Sequence, residues 1–147
     1  MKNASPILRI LGIVLCFLIP INIISQDNSN LEKEIFNKIN NYRVKIGKSK
    51  FTFNDSLVKS CRSHSNSMGI NYKLEHVKNL SEVGANAEII QLNYTTGRTF
   101  IETSDDVLDI FLDSPSHKKI IEGIYNQISI GVYVTKDEDL WVTIRFK

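Results

Sequence analysis

The chain has 147 residues, of which 42% are hydrophobic and 23% are charged, with 7 Gly and 3 Pro. This length suits a single domain, and this composition excludes a disordered, collagen-like or low-complexity polypeptide. The formal charge of +2 comes from 18 Lys and Arg against 16 Asp and Glu, and two of the basic residues lie in the N-terminal segment.

The first 26 residues are predicted to be a secretory signal peptide. They contain Lys2 and Arg9 and no acidic residue, and an apolar run follows from Ile10 to Ile24. A membrane span needs about 18 or more unbroken apolar residues, whereas this run is shorter and is broken by Pro20. The protein is therefore expected to be secreted, periplasmic or in the cell envelope. The alternative is a signal segment that is retained as an anchor.

The mature domain is predicted to comprise residues 27–147 and to carry no net formal charge. Without Lys2 and Arg9 there remain 16 basic residues, which equal the 16 acidic ones, and the two signs are interleaved. No clustered Lys and Arg are left to bind phosphates, so we expect no nucleic-acid partner and no stable membrane span. Only Cys61 remains, so no internal disulfide can form.

Two helices are predicted at the start of this domain. Ser29 and Glu32 fit the capping box of a first helix that extends to about Val44. Asn54 fits the N-cap of a second helix, and Gly69 suits its C-terminal end. The predicted buried face of the second helix contains four residues at helical spacing: Leu57, Cys61, His64 and Met68.

The second half begins with a mixed signal that contains the apolar run Ala87–Leu92. Ser104, followed by two aspartates, predicts the start of a third helix, because a cap and acidic residues both favour a helix N-terminus. Pro115 is predicted to interrupt that helix before a further helical segment over 118–125.

The C-terminal segment is rich in β-branched and aromatic residues on either side of the polar turn KDED. This pattern predicts an antiparallel hairpin. Helices followed by terminal strands predict an α+β layered domain.

The three histidines, His64, His76 and His117, form no short metal motif. A Gly-rich phosphate loop, a G-x-S-x-G elbow and a Cys-x-x-Cys pair are also absent from the sequence, which argues against nucleotide enzymes, α/β-hydrolases and thiol redox proteins. His64 shares a helix face with apolar residues, so we interpret it as a packing residue.

Glu88 stands inside an apolar run, where a carboxylate is costly to bury without a partner. A histidine is a natural partner, because a carboxylate fixes the tautomer of an imidazole and raises its basicity, as behind metal sites and general bases. His76, in a loop-like segment, and His117, after a Ser-Pro turn, are the candidates. The alternatives are an exposed polar residue at His76 and a helix-capping cluster at His117.

These residues lie in segments that resemble the CAP superfamily, also called the SCP/TAPS domain, and in particular its bacterial members. Those members typically read Trp-x-Asn-Ser-Pro-Gly-His where this chain reads Phe-Leu-Asp-Ser-Pro-Ser-His at 111–117. The other similar segments are Ile39–Arg43, His64 to Met68, Glu88 in its apolar run, Ile130–Val132 and Trp141–Thr143.

The resemblance implies an α-β-α sandwich with a central antiparallel sheet and a large cleft. Eukaryotic members place two histidines and two glutamates in that cleft, sometimes around a divalent metal. His76 matches the first histidine and Glu88 the first glutamate, Ser114 stands at the second glutamate, and His117 is the bacterial-type histidine. His76, Glu88 and His117 with water would suit zinc or another divalent cation.

The favoured hypothesis is an exported, non-enzymatic protein whose cleft binds a small molecule, a lipid or a protein surface, with or without a divalent ion. One alternative is a hydrolase in which Glu88 and a histidine activate water for attack on a peptide or ester bond. The sequence shows no evident nucleophile, so no catalytic residue is assigned. A second alternative is a structural or adhesive surface protein.

Overall fold

The computed structural model describes residues 21–147. Residues 1–20, with most of the predicted signal peptide, lie outside the described residues. Within residues 21–147, four helices and four strands follow one another, with a 3-10 turn at Ser81–Val83: α1 Ile21–Lys45, β1 Thr52–Phe53, α2 Asp55–Asn71, β2 Ala87–Tyr94, α3 Phe100–Asp113, α4 Pro115–Ile121, β3 Gln127–Val134 and β4 Asp139–Phe146.

The four strands form one sheet in the order β1-β3-β4-β2. Strands β3 and β4 make the antiparallel hairpin that the sequence predicts, and β2 pairs antiparallel with β4. The short β1 pairs in parallel with the start of β3, so the sheet is mixed rather than wholly antiparallel. The predicted polar turn connects β3 to β4.

Helices cover both faces of the sheet, which confirms the predicted α-β-α sandwich. On one face, α1, α3 and α4 share a continuous apolar core with alternate residues of the strands, as the two-residue period of a strand requires. On the other face, α2 packs Met68 against Ile90 and Trp141. In the described part of the chain, no helix is long and apolar enough to cross a bilayer.

The predicted start of α1 is wrong. The helix begins at Ile21, so it is already helical at Ser29, where a capping box would require the chain to enter the helix. Glu32 contacts other elements of the fold instead. Its carboxylate accepts hydrogen bonds from Arg62 in α2 and from the amide of Val132 in β3.

Other helix ends also differ from the prediction. Helix α3 begins at Phe100 with Thr99 as its N-cap, and Ser104 is fully buried inside the helix. Helix α2 continues past Gly69 to Asn71 and is closed by Tyr72, with φ of 48°. Gly69 instead allows close packing, because a Cβ there would lie 2.5 Å from a ring carbon of Tyr133. Pro115 separates α3 from α4 as predicted, but α4 begins at Pro115 itself and ends at Ile121, whereas the predicted segment covered 118–125.

The Asn-Asn-Tyr-Arg segment at the end of α1 ties this helix to its neighbours. Asn40 exchanges two hydrogen bonds with the backbone of Phe51, at 2.8 and 3.1 Å. Arg43 donates to the carbonyls of Ile121, the last residue of α4, and of Gly123, and it stacks 3.8 Å from the centre of the Phe51 ring. The segment therefore has a structural role in this chain.

Candidate functional site

A buried ion pair between two neighbouring strands is the base of the site. Glu88 in β2 lies directly opposite Arg145 in β4, and both side chains are only 1% exposed. Arg145 donates from Nε to Glu88 Oε2 at 2.9 Å and from Nη1 to Ser60 Oγ in α2 at 2.8 Å. The cation that balances Glu88 is thus an arginine that the sequence analysis did not consider.

His76 binds the other oxygen of the same carboxylate. Its Nδ1 lies 3.1 Å from Glu88 Oε1, which also accepts the backbone N–H of Val77 at 2.9 Å. The His76 side chain is 56% exposed. The structure therefore brings His76 and Glu88 together, with the carboxylate buried and the imidazole at the surface.

His64 also approaches this carboxylate, although the sequence analysis assigned it to packing. Its Nε2 lies 2.9 Å from the carbonyl of Glu75 and 3.8 Å from Glu88 Oε1, and the side chain is 15% exposed. His64 follows Ser60 by one helical turn on α2, so both residues face the ion pair. The four-residue spacing of these polar side chains was the signal that could have identified them.

His117 lies at the start of α4 and is half-buried. Its ring packs edge-on against Phe111, with ring centres 5.4 Å apart. Burial lowers the pKa of His117, and the positive charge of a protonated His76 lowers it further. Ser114 is the N-cap residue of α4, and its Oγ lies 3.1 Å from Ser116 Oγ. Neither a hydrogen bond nor an ion pair joins His117 to Glu88 within residues 28–147.

These contacts do not fit the expected metal set of His76, Glu88 and His117. Oε2 of Glu88 bonds to Arg145, Oε1 accepts from Val77 and faces His76, and His76 has only Nε2 left for another partner. Among the described residues, no three His, Cys, Asp or Glu side chains are grouped to hold an ion. Two imidazoles fall short of the three protein ligands that are usual for a catalytic zinc site.

Two hollows of the surface lie away from these histidines. A cavity of about 840 Å³ separates α1 from α2, beside the Glu32–Arg62 ion pair and the aromatic pair Phe36–Phe53. A smaller one of about 300 Å³ lies between α1, the start of α3 and the β3–β4 turn. Neither cavity is lined by His76, Glu88, Ser114 or His117, which therefore lie outside both hollows.

The sandwich and its helices define a CAP-type fold, and solved structures of bacterial proteins share it. An outer surface protein from Borrelia burgdorferi matches with a TM-score of 0.66 at 20% identity, over 82% of this chain and 95% of that chain. An extracellular SCP-domain protein from Bacillus anthracis matches with a TM-score of 0.67 at 16% identity, over 88% of this chain and 44% of that chain. A cysteine-rich secretory protein from Staphylococcus aureus matches with a TM-score of 0.57 at 15% identity, over 82% and 40%.

The family model of the cysteine-rich secretory proteins, CAP, matches residues 36–146. The chain therefore belongs to the CAP family, as its sequence motifs indicate. It spans less than half the length of the Bacillus and Staphylococcus proteins, and at these identities the structural likeness shows the fold alone. The Bacillus protein is described as extracellular and the Borrelia protein as an outer surface protein. A search of curated protein sequences found no significant match.

Proposed function

We propose that this protein is an exported CAP-domain protein that binds a ligand at the surface around His76 and His117, without chemical turnover. Export is supported by the basic and apolar N-terminal segment, which we assign as a signal peptide over 1–26 before a domain over 27–147. It is also supported by similar proteins that are described as extracellular or outer surface proteins. The ligand classes that fit are a small molecule, a lipid and a protein surface.

The observation that carries this proposal is an exposed imidazole that is held by a buried carboxylate. Burying Glu88 costs free energy, and that cost is offset by Arg145, Val77 and His76. The result is a His76 ring whose Nδ1 is fixed and whose Nε2 is left for a ligand. A binding group that is oriented in advance loses less entropy when it binds.

The absence of chemical turnover is supported by the surroundings of the histidines. Within residues 28–147, no Ser, Thr or Cys side chain is hydrogen-bonded to His76 or His117, so neither ring has a nucleophile to activate. Ser114 contacts Ser116, and Ser60 binds Arg145. These contacts give both hydroxyls structural partners.

The test is a fragment screen by NMR on the isotope-labelled protein. We expect bound fragments to shift the amides of 75–78 and of 115–118 in a saturable manner. The shifts should disappear in the His76→Ala/His117→Ala double variant and persist in Asn66→Ala, an exposed position elsewhere on the α2 surface. Hits confined to the cavity between α1 and α2 would overturn the proposed site.

A hydrolase is the second candidate, because a carboxylate bonded to an imidazole is also the arrangement of a general base. Peptide and ester substrates should show no turnover above that of a His76→Gln variant. Turnover that disappears in both Glu88→Gln and His76→Gln would replace the binding proposal with a catalytic one.

A further inference from the structure

We infer that Arg145 is a positioning residue: a cation built into the fold that orients His76 through Glu88. This inference deepens the proposed function and rests on it for the use of His76 as a ligand-binding group. It concerns the chain of contacts Ser60–Arg145–Glu88–His76, which leads from α2 to the surface.

The first step is the fixed position of the guanidinium. Arg145 is 1% exposed and belongs to the strand β4, which pairs on both sides with other strands. Its Nη1 donates to Ser60 Oγ and its Nε donates to Glu88 Oε2. Its backbone is held by the sheet and its head group by α2, so Arg145 holds Glu88 in one orientation.

The second step is the transfer of this orientation to the surface. With Oε2 on Arg145, the oxygen Oε1 faces the 72–80 segment and accepts the N–H of Val77. His76 lies 3.1 Å from the same oxygen through Nδ1. Because an ionised carboxylate only accepts hydrogen bonds, Nδ1 carries the proton, which leaves Nε2 to accept from a ligand whenever the ring is neutral.

The third step concerns charge. Arg145 neutralises Glu88 from within the sandwich, and both carboxylate oxygens already have partners. A divalent cation bound to Glu88 would have to share Oε2 with Arg145 or compete with Val77 and His76 for Oε1, and it would stand near a buried guanidinium. Glu88 therefore supports His76 as a hydrogen-bonding group and does not act as a metal ligand.

The experiment reads the tautomer of His76 directly, by long-range proton–nitrogen NMR on the full chain without any ligand. The wild type should show the proton on Nδ1. Arg145→Gln should shift His76 toward the mixture of free imidazole, which favours the proton on Nε2. A wild-type tautomer that is retained in a folded Arg145→Gln variant would overturn the inference.

The matched control is Arg62→Gln. Arg62 of α2 binds Glu32 of α1 through two hydrogen bonds, and within residues 28–147 no hydrogen bond or ion pair joins it to His76. Its loss should lower the melting temperature and leave the His76 tautomer unchanged. An equal tautomer shift in both variants would show a general structural effect and overturn the inference.

Arg145→Gln leaves a buried carboxylate without its cation, and this variant can fail to fold. In that case Glu88→Gln/Arg145→Gln, which buries no charge, serves instead. It should also lose the fixed tautomer, because a neutral amide is a weaker acceptor than a carboxylate. A double variant that keeps the proton fixed on Nδ1 would overturn the inference.

Zinc provides a second readout. Stoichiometric zinc should leave the melting temperature of the wild type unchanged. A zinc-induced rise that is lost in Glu88→Gln would make Glu88 a metal ligand and overturn the inference. The tautomer measurement uses no ligand. Failure of the fragment screen would therefore contradict the proposed function without affecting the inference about Arg145.

Discussion

Cys61 lies on the side of α2 that faces the sheet. Its side chain is fully buried, and its Sγ lies 3.7 Å from the carbonyl of Ser129. Burial raises the pKa of this thiol to about 12, because a thiolate would be poorly solvated there. The charge of Arg145 opposes this rise, and the charges of Glu88 and Glu32 add to it. The thiolate is the reactive form of cysteine.

We therefore expect Cys61 of the native protein to be inert toward a disulfide reagent at mildly alkaline pH and to react completely in denaturant. The measurement uses a Cys16→Ser chain, so that only this thiol reports. Rapid labelling of the native state, at a rate close to that of the denatured chain, would contradict the described burial.

For single residues, the sequence indicates that a side chain is buried, but it does not show which distant residue contacts that side chain. Glu88 in an apolar run signals a buried carboxylate, and Cys61 on an apolar face signals a buried filler. Arg145 is 57 positions from Glu88, and only the register of β2 on β4 makes them neighbours. An arginine at a buried position of the last strand was the available signal.

At the scale of elements, the capping of α3 gives a direct test. Thr99 accepts the amide of Glu102, and the Glu102 carboxylate accepts the amide of Thr99. Thr99→Ala removes the cap and should lower the free energy of unfolding by about 1 kcal/mol. Urea denaturation followed by circular dichroism measures the loss.

Ser104→Ala is the control for that change, since Ser104 is the cap that the sequence pattern suggests. Its Oγ donates to the Ile101 carbonyl inside the helix, so its removal should cost clearly less than removal of Thr99. The reverse order of the two losses would place the helix start at Ser104.

The packing of α2 on the sheet depends on Gly131 in β3. A Cβ at this position would lie 2.2 Å from the amide nitrogen of Arg62 and 2.3 Å from the carbonyl carbon of Cys61. These are backbone atoms that cannot rotate away, so Gly131→Ala should destabilise the protein by about 3 kcal/mol, at the upper end of overpacking costs.

Gly97→Ala is the matched control, measured in the same urea titration. Gly97 has φ of 69° and no atom within 4 Å of the added Cβ, so its substitution costs only backbone strain, about 1 kcal/mol. A Gly131→Ala protein that is no less stable than Gly97→Ala would show that α2 does not approach β3 this closely.

Helix boundaries were the least predictable elements, for a physical reason. The patterns Ser29-x-x-Glu32 and Thr99-x-x-Glu102 are equally good capping boxes in the sequence. Whether either one forms depends on the chain before it, which is helical before Ser29 and non-helical at Thr99. Strand type was predictable for the hairpin, whereas β1, with two residues, has too little pattern to be recognised.

For the whole molecule, the two faces of the sheet differ in polarity. The face under α1, α3 and α4 is an apolar core. The face under α2 carries polar contacts, including Ser65 with Thr143 and Arg145 with Glu88. The sandwich was predictable because family motifs lie in order along the chain, but the division of polar and apolar layers follows from strand register.

Acidification should destabilise the whole domain through His117. Burial and the charge of His76 lower the pKa of His117 in the folded protein below its ordinary value of 6.5, so the unfolded chain takes up the proton more readily. By linkage, the free energy of unfolding then rises with pH where His117 titrates. This contribution is fully present above the ordinary pKa and is lost as the pH falls through 6.5 toward the lower folded value.

His117→Gln removes this titration, so its unfolding free energy should depend less on pH than that of the wild type between about pH 7.5 and about pH 5. Urea denaturation at several pH values measures both slopes. Lys118→Gln, at the adjacent exposed position, should retain the wild-type slope, because Lys118 stays charged over this range. Equal slopes for His117→Gln and wild type would mean that His117 titrates alike in the folded and unfolded chain and would place its ring in open solvent.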